Sequence, residues 1–172
     1  MNERGRPTAI DSVDSVSGRR ALPEDRRLPV RTNASLGEGG DEVPRGGLDG
    51  VSVLLVEDDP SSREALEFIL ASCGARVVSA VSMRDALACY ERMLPAVVVS
   101  DIGLPGEDGC ALMRAIRARE LGGDRTPAIA VSGFPSPETS ERARRAGFDA
   151  FLPKPIDFGE LFRMVRALTS DG

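Results

Sequence analysis

The chain has 172 residues, which is enough for one domain with a buried core and an additional segment. Its net charge of −5 argues against a nucleic-acid-binding surface, and no apolar run approaches the roughly 18 residues that a membrane helix needs. It contains no histidine, which excludes histidine-based general bases, histidine metal ligands and a phosphohistidine on this chain.

The cysteines predict a reduced, cytoplasmic protein. Cys73, Cys89 and Cys110 are odd in number, widely spaced and without a C-x-x-C pattern. We interpret them as reduced, helix-borne residues rather than as metal ligands or a disulfide framework.

Residues 1–49 differ in composition from the rest of the chain. They contain no aromatic residue, many prolines and glycines, and almost balanced charges. Such a segment cannot bury enough apolar surface to offset its ordering entropy. We therefore predict a disordered tail or linker over 1–49 and a folded domain over 50–172.

From Val51 onwards, short apolar runs alternate with amphipathic stretches. The apolar runs predict five strands: Val51–Val56, Arg76–Ala80, Ala96–Ser100, Ala128–Ser132 and Ala150–Leu152. Because helical patterns separate them, the chain predicts one doubly wound parallel sheet with helices on both faces. Pro153 beside the fifth strand indicates an edge position, since an edge strand tolerates a missing N–H group.

The stretches between the strands predict the helices. Asp59-Pro60 opens the first helix and Gly74 ends it, and the Gly122-Gly123 pair is predicted to break the third. The predicted inner faces are Ala65, Phe68, Ile69 and Cys73 in the first helix, Ala86, Tyr90 and Met93 in the second, Leu112, Met113 and Ile116 in the third, and Phe158, Leu161, Phe162, Val165 and Leu168 in the last.

The third strand leads directly to a carboxylate. Val97–Ser100 predicts a strand buried on both faces, and Asp101 follows at its carboxyl end. The next residues are rich in Gly and Pro and cannot immediately form a helix. We therefore expect Asp101 at the mouth of a loop rather than in a core, where ligands bind in open α/β sheets.

Other polar residues end the neighbouring strands. Glu57-Asp58-Asp59 follows the first strand, Ser132 ends the fourth, and Lys154, the only lysine among 22 basic residues, follows the fifth. Each has an ordinary structural interpretation as a helix start, a turn or an exposed charge. Because parallel strands share one carboxyl edge, we nevertheless expect all of them to converge with Asp101.

The convergent residues predict phosphoryl chemistry. Crowded carboxylates repel one another and recruit a hard divalent cation, and a few carboxylates with retained waters suit Mg²⁺. A carboxylate needs no general base to act as a nucleophile, and aspartyl phosphates are an established product. Mg²⁺, the Lys154 ammonium and the Ser132 hydroxyl could neutralise the three phosphoryl oxygens.

At these residues the sequence resembles the receiver domain of bacterial two-component response regulators. The matching stretches are Val53–Pro60, Ser100–Gly109, Val131–Gly133 and Phe151–Pro155. The resemblance implies a flavodoxin-like fold: a five-stranded parallel sheet in the order 2-1-3-4-5 with five helices. It also implies that Asp101 accepts a phosphoryl group from a histidine kinase or a histidine phosphotransfer protein.

The resemblance further assigns the metal ligands. Glu57 and Asp58 match the acidic pair of the family, with Asp58 and Asp101 as direct Mg²⁺ ligands beside the backbone carbonyl of Gly103. Lys154 matches the lysine that pairs with the phosphoryl group, and its bond to Pro155 is expected to be cis.

The resemblance also implies a switch that leads to partner binding. Ser132 and Phe151 match the two switch residues, and their movement would remodel the surface of the fourth helix, fifth strand and fifth helix for an unknown downstream protein. The chain shows no output domain, so we expect a stand-alone receiver, a relay intermediate or a fragment of a hybrid kinase.

Two other functions remain open from the sequence. A haloacid-dehalogenase-type phosphatase also uses Asp, Mg²⁺, Ser and Lys, but its Asp-x-Asp motif should follow the first strand, where this chain has Glu57-Asp58-Asp59. A phosphorylation-independent binding module of receiver shape is the second. The intact set of Asp58, Asp101, Ser132 and Lys154 favours the phosphoacceptor, which is a signalling module and not an enzyme.

Overall fold

In the computed structural model, described over residues 46–104, 106, 108–120 and 125–170, five strands alternate with five helices. The elements are β1 (Ser52–Val56), α1 (Pro60–Ser72), β2 (Arg76–Ala80), α2 (Met83–Met93), β3 (Val97–Asp101), α3 (Gly109–Arg117), β4 (Ala128–Ser132), α4 (Pro137–Ala146), β5 (Ala150–Pro153) and α5 (Phe158–Thr169).

All four strand pairings are parallel, and the strand order is β2-β1-β3-β4-β5. This is the flavodoxin-like order, and β5 lies at an edge as Pro153 predicted. The central strand β3 is buried at all five positions, which confirms the prediction from its run of valines. The chain runs from β1 to β2 on one side and then crosses to β3 on the other, so the β1 and β3 ends flank the crevice where such sheets bind ligands.

Two apolar layers cover the sheet, because alternate residues of a strand point to opposite faces. Val97 and Val99 face the layer that α1 and α5 cover. Val98 faces the layer that α2, α3 and α4 cover. The sheet and its helices on both faces therefore hold the strand ends in fixed positions.

Most predicted helix faces are confirmed, but that of α1 is confirmed only at Cys73. Leu66, Leu70 and Cys73 form its buried stripe, whereas Phe68 is 75% exposed. Phe68 lies two residues from Leu66 and therefore on the opposite side of the helix. The residues of the predicted face and those of the buried face both recur with the period of a helix. Which face is buried is decided only by the contact of α1 with β1 and β2.

Two predicted boundaries, the end of the tail and the end of the third helix, differ from those in the structure. Leu48 falls within the predicted tail, yet it is fully buried and its N–H donates to the Cys73 carbonyl at 2.9 Å, so the folded unit includes it. Residues 1–45 lie outside the described residues. Helix α3 ends at Arg117, before the Gly122-Gly123 pair, which also lies outside them.

No helix in the described part of the chain combines the length and apolar character that crossing a membrane requires.

The C-terminal end of α2 contains a strained residue. Leu94 has φ +42°, the left-handed conformation that costs a non-glycine residue about 1–2 kcal/mol, and its side chain is 62% exposed. We expect Leu94→Gly to raise the free energy of unfolding by about 0.5–1 kcal/mol, because relief of strain outweighs the greater chain entropy of the unfolded state. Urea denaturation measures this change. Leu94→Ala, which keeps the strain, should give no gain; an equal gain there would contradict the explanation.

Candidate functional site

The structure brings the predicted polar residues to one edge of the sheet. Glu57 and Asp58 follow β1, Asp101 ends β3, Ser132 ends β4 and Lys154 follows β5. The parallel register of these strands places their carboxyl ends side by side. Sequence reasoning therefore found the correct edge and these five residues of it.

Three carboxylates gather in the crevice between β1 and β3. Glu57, Asp58 and Asp101 each offer an oxygen within 4.8 Å of the others. Glu57 is 2% exposed and Asp101 8% exposed. Such a buried group of like charges requires a positive counter-charge.

Lys154 supplies part of that charge. Its Nζ donates to Glu57 Oε2 at 2.8 Å and to Asp101 Oδ2 at 2.5 Å. Burial lowers the pKa of the Lys154 ammonium, but the hydrogen bonds and charges of Asp101 and Glu57 outweigh that effect and leave the pKa above its ordinary value. The ammonium is therefore fully charged at neutral pH and bridges two strand ends.

The surroundings of Asp101 correct one expectation. The residue ends its strand as predicted, but it is mostly buried instead of standing open in a loop. Its Oδ1 accepts a hydrogen bond from the Gly103 amide at 2.6 Å while its Oδ2 accepts from Lys154. Both carboxylate oxygens are thus held by donors, which fixes the orientation of the carboxylate.

Ser132 and Phe151, the two predicted switch residues, lie on β4 and β5, and β4 pairs with the strand that ends in Asp101. The Ser132 hydroxyl accepts from the Phe134 amide at 3.2 Å, and among the described residues it makes no hydrogen bond to Asp101 or Lys154. The Phe151 ring is buried in the apolar layer beneath α2, α3 and α4. The Lys154 N–H donates to the carbonyl of Ser132 at 2.8 Å, which holds the backbone of Lys154 against the end of β4.

The donor set fits a magnesium ion. Mg²⁺ prefers hard oxygen ligands and usually uses one or two carboxylates with several waters. Within the described part of the chain, the Asp58 carboxylate forms no hydrogen bond or ion pair and is therefore free to act as a ligand. The three carboxylates outnumber the Lys154 ammonium, and the excess of negative charge attracts a divalent cation.

Two residues of the site were missed by sequence reasoning. Arg63 in the first turns of α1 donates from Nη1 to the carbonyls of Glu57 and Asp58, at 3.1 Å each. Gly109, at the start of α3, lies so close to Asp101 that an added Cβ would be 2.4 Å from its carbonyl oxygen. The only signal for Arg63 was an arginine one helical turn after Asp59, which is common in exposed helices. The Lys154-Pro155 bond is cis, as expected.

Comparison with known proteins gives one family. The family model described as the response regulator receiver domain matches residues 53–166. An uncharacterized 14.6 kDa protein in the sodA1 3′ region of Leptolyngbya boryana is 41% identical over 120 residues, which are 69% of this chain and 90% of that protein. The Regulator of RpoS of Escherichia coli K12 is 34% identical over 121 residues, 70% of this chain but 35% of that protein's length.

Solved structures agree with these relatives. The receiver domain of the Francisella response regulator 1452 superposes with a TM-score of 0.66 at 25% identity and covers 71% of this chain and 98% of that chain. The chemotaxis protein CheY4 of Vibrio cholerae superposes with a TM-score of 0.65 at 26% identity, covering 69% and 98%.

Proposed function

This chain belongs to the family of response regulator receiver domains, and on that premise we propose that Asp101 accepts its phosphoryl group. Receiver domains are the phosphoacceptors of two-component signalling, and they are signalling modules rather than enzymes. The observation that carries the proposal is the position of Asp101, between the carboxylates that follow β1 and the single lysine that follows β5. Glu57 also contacts Lys154, but it belongs to the acidic pair that follows β1, whereas Asp101 approaches both groups from the end of the neighbouring strand β3.

The proposed transfer needs little from the protein besides position and charge. A carboxylate oxygen of Asp101 forms a bond to phosphorus, and the bond from phosphorus to the donor atom breaks with its electron pair remaining on the donor. A carboxylate nucleophile has no proton to lose during the attack, so no general base takes part. The Lys154 ammonium, which is hydrogen-bonded to Asp101 Oδ2, would stabilise the negatively charged oxygens of a phosphoryl group on Asp101.

Asp58 and Asp101, with Glu57 beside them and the Gly103 carbonyl as a further ligand, would hold Mg²⁺. When bound, the ion would neutralise charge on the phosphoryl oxygens. Glu57 is already paired with Lys154 and with the Asp59 amide at 3.2 Å, so we assign it to the acidic pair that positions the site.

We also propose that phosphorylation is read through Ser132 and Phe151. Among the described residues, the Ser132 hydroxyl is held only by a 3.2 Å hydrogen bond from the Phe134 amide, and it could turn towards a phosphoryl group on Asp101. Phe151 is paired in register with Ala130 of β4, and its side chain lies in the apolar layer that α2, α3 and α4 cover. Such a movement would alter the surface formed by α4, β5 and α5, where a downstream protein would bind.

The proposed phosphoryl donor is a histidine kinase or a histidine phosphotransfer protein, as membership of the receiver family suggests. The proposed domain organisation is an N-terminal tail that leads into a receiver domain, whose folded part begins before the predicted boundary at residue 50 because it includes Leu48. The proposed location is the cytoplasm.

The proposal is tested by intact-protein mass spectrometry after incubation with acetyl phosphate. We expect a gain of about 80 Da, one phosphoryl group on a covalent nucleophile, that requires Mg²⁺ and is lost with EDTA. Asp101→Asn keeps the size of the side chain but removes the nucleophile, so it should show no adduct.

An equal adduct in Asp101→Asn would contradict the assignment of the acceptor. No adduct on either protein would favour the phosphorylation-independent binding module, and turnover of a simple phosphomonoester would favour a phosphatase.

A further inference from the structure

The loop between β1 and α1 carries two of the three clustered carboxylates, yet few contacts hold it. The Glu57 N–H donates to the Ala80 carbonyl at 3.1 Å, and the Asp59 N–H donates to Glu57 Oε1 at 3.2 Å. Asp58 has no side-chain hydrogen bond or ion pair among the described residues. Whatever positions the Asp58 carboxylate must therefore act through its backbone.

Arg63 provides that backbone contact. One nitrogen of its guanidinium, Nη1, donates to the carbonyl oxygens of both Glu57 and Asp58 at 3.1 Å. Arg63 itself is fixed within α1, since its N–H donates to the Asp59 carbonyl at 3.0 Å. The half-buried Arg63 side chain thus reaches from α1 back over the preceding loop and bridges the carbonyl groups of two consecutive residues.

We infer that Arg63 is a positioning residue for the proposed metal site. By holding the carbonyls of Glu57 and Asp58, it fixes the backbone from which their carboxylates reach Asp101. A preorganised ligand loop binds a metal more tightly, because the ordering entropy of the loop is already lost before binding. This inference rests on the proposed function only in taking Mg²⁺ as the ion of the site.

The charge of Arg63 is expected to weaken Mg²⁺ binding, whereas its positioning of the loop strengthens it. A guanidinium beside the carboxylates repels an incoming cation, so charge alone would make Mg²⁺ binding weaker in the wild type than in a neutral variant. The two explanations therefore predict opposite signs. If position dominates, removal of Arg63 weakens Mg²⁺ binding; if charge dominates, removal strengthens it.

The experiment measures Mg²⁺ affinity by NMR, following the amide signals of residues 57–59 and 101–103 in the full chain. We expect Arg63→Met to raise the Mg²⁺ dissociation constant about tenfold, as is typical when a residue behind a metal ligand is lost. Arg63→Lys keeps the charge but cannot span two carbonyls with the same geometry, and it should also bind more weakly than the wild type. An unchanged affinity, or tighter binding by Arg63→Met, would overturn the inference.

A second readout distinguishes positioning from general stabilisation. In metal-free protein, hydrogen exchange at the Glu57 and Asp59 amides should be faster in Arg63→Met, while exchange at the Val98 amide in β3 stays unchanged. Equal acceleration at all three amides would mean that Arg63 only stabilises the domain. Arg84→Met is the matched control, because Arg84 lies on the exposed face of α2 with no ion pair among the described residues.

The two proposals fail in different ways. If wild-type protein shows no response to Mg²⁺, the proposed metal site is wrong, and the exchange rates in metal-free protein still decide whether Arg63 holds the loop.

Discussion

Replacement of Lys154 by methionine should lower the free energy of unfolding by about 3 kcal/mol in metal-free buffer. The Lys154 ammonium is the common partner of Glu57 and Asp101, which are both nearly inaccessible to water. Loss of one partner leaves buried charges uncompensated, a change that costs about 3–5 kcal/mol for fully buried pairs. Because the Lys154 side chain is 26% exposed, we expect the lower end of that range. Urea denaturation in EDTA, followed by circular dichroism, measures the difference.

Mg²⁺ should restore part of the stability that Lys154→Met loses. A divalent cation among Glu57, Asp58 and Asp101 supplies the missing charge, so the variant should gain more stability from Mg²⁺ than the wild type does. Arg119→Met is the control: its ion pair with Glu91 joins side chains that are 42% and 59% exposed and should contribute no more than about 1 kcal/mol. A Lys154→Met variant as stable as Arg119→Met would show that the buried carboxylates need no ammonium.

The site could be predicted from the sequence because the order and direction of the strands determine where its residues lie. Once five strands alternate with helices, the parallel arrangement follows, and the residues after each strand must share an edge. Asp101 and Lys154 are 53 residues apart in the chain, and no local pattern joins them. That Lys154 is the only lysine in a chain rich in arginine pointed to the same edge independently.

Contacts between long side chains and distant backbone groups could not be predicted from the strand order. Arg117 of α3 appears in the sequence as one more polar helix residue. In the structure its guanidinium donates to the Gly147 carbonyl at 2.7 and 3.1 Å and to the Thr126 carbonyl at 2.8 Å, and so joins α3 to two distant turns. Arg63 acts similarly on the loop before α1. An arginine can reach many backbone groups, and only the folded chain determines which of them lie within its range.

Gly109→Ala should damage both stability and the site. Gly109 begins α3 after its N-cap Asp108, and its N–H donates to the Ile102 carbonyl at 3.3 Å. An added Cβ would lie 2.4 Å from the Asp101 carbonyl oxygen and 2.6 Å from the Ile102 Cα. Both obstacles are backbone atoms, so no side chain can rotate away and α3 must shift from the end of β3. We expect a loss of about 3 kcal/mol in the free energy of unfolding, the upper part of the range for overpacked positions.

The same displacement should slow phosphorylation, because a shift of about 1 Å at a reacting group can reduce a rate on the order of 100-fold. Gly133→Ala is the matched control. Gly133 follows Ser132 at the same edge and has a backbone conformation open to alanine, and an added Cβ would have no atom within 4 Å apart from its two neighbours in the chain. It should change the free energy of unfolding by no more than about 0.5 kcal/mol and leave the acetyl phosphate reaction intact. If both variants behave alike, close packing of α3 against Asp101 is not what fixes the carboxylate. A loss confined to Gly109→Ala would instead show that α3 holds the end of β3, and with it Asp101, in place for the reaction.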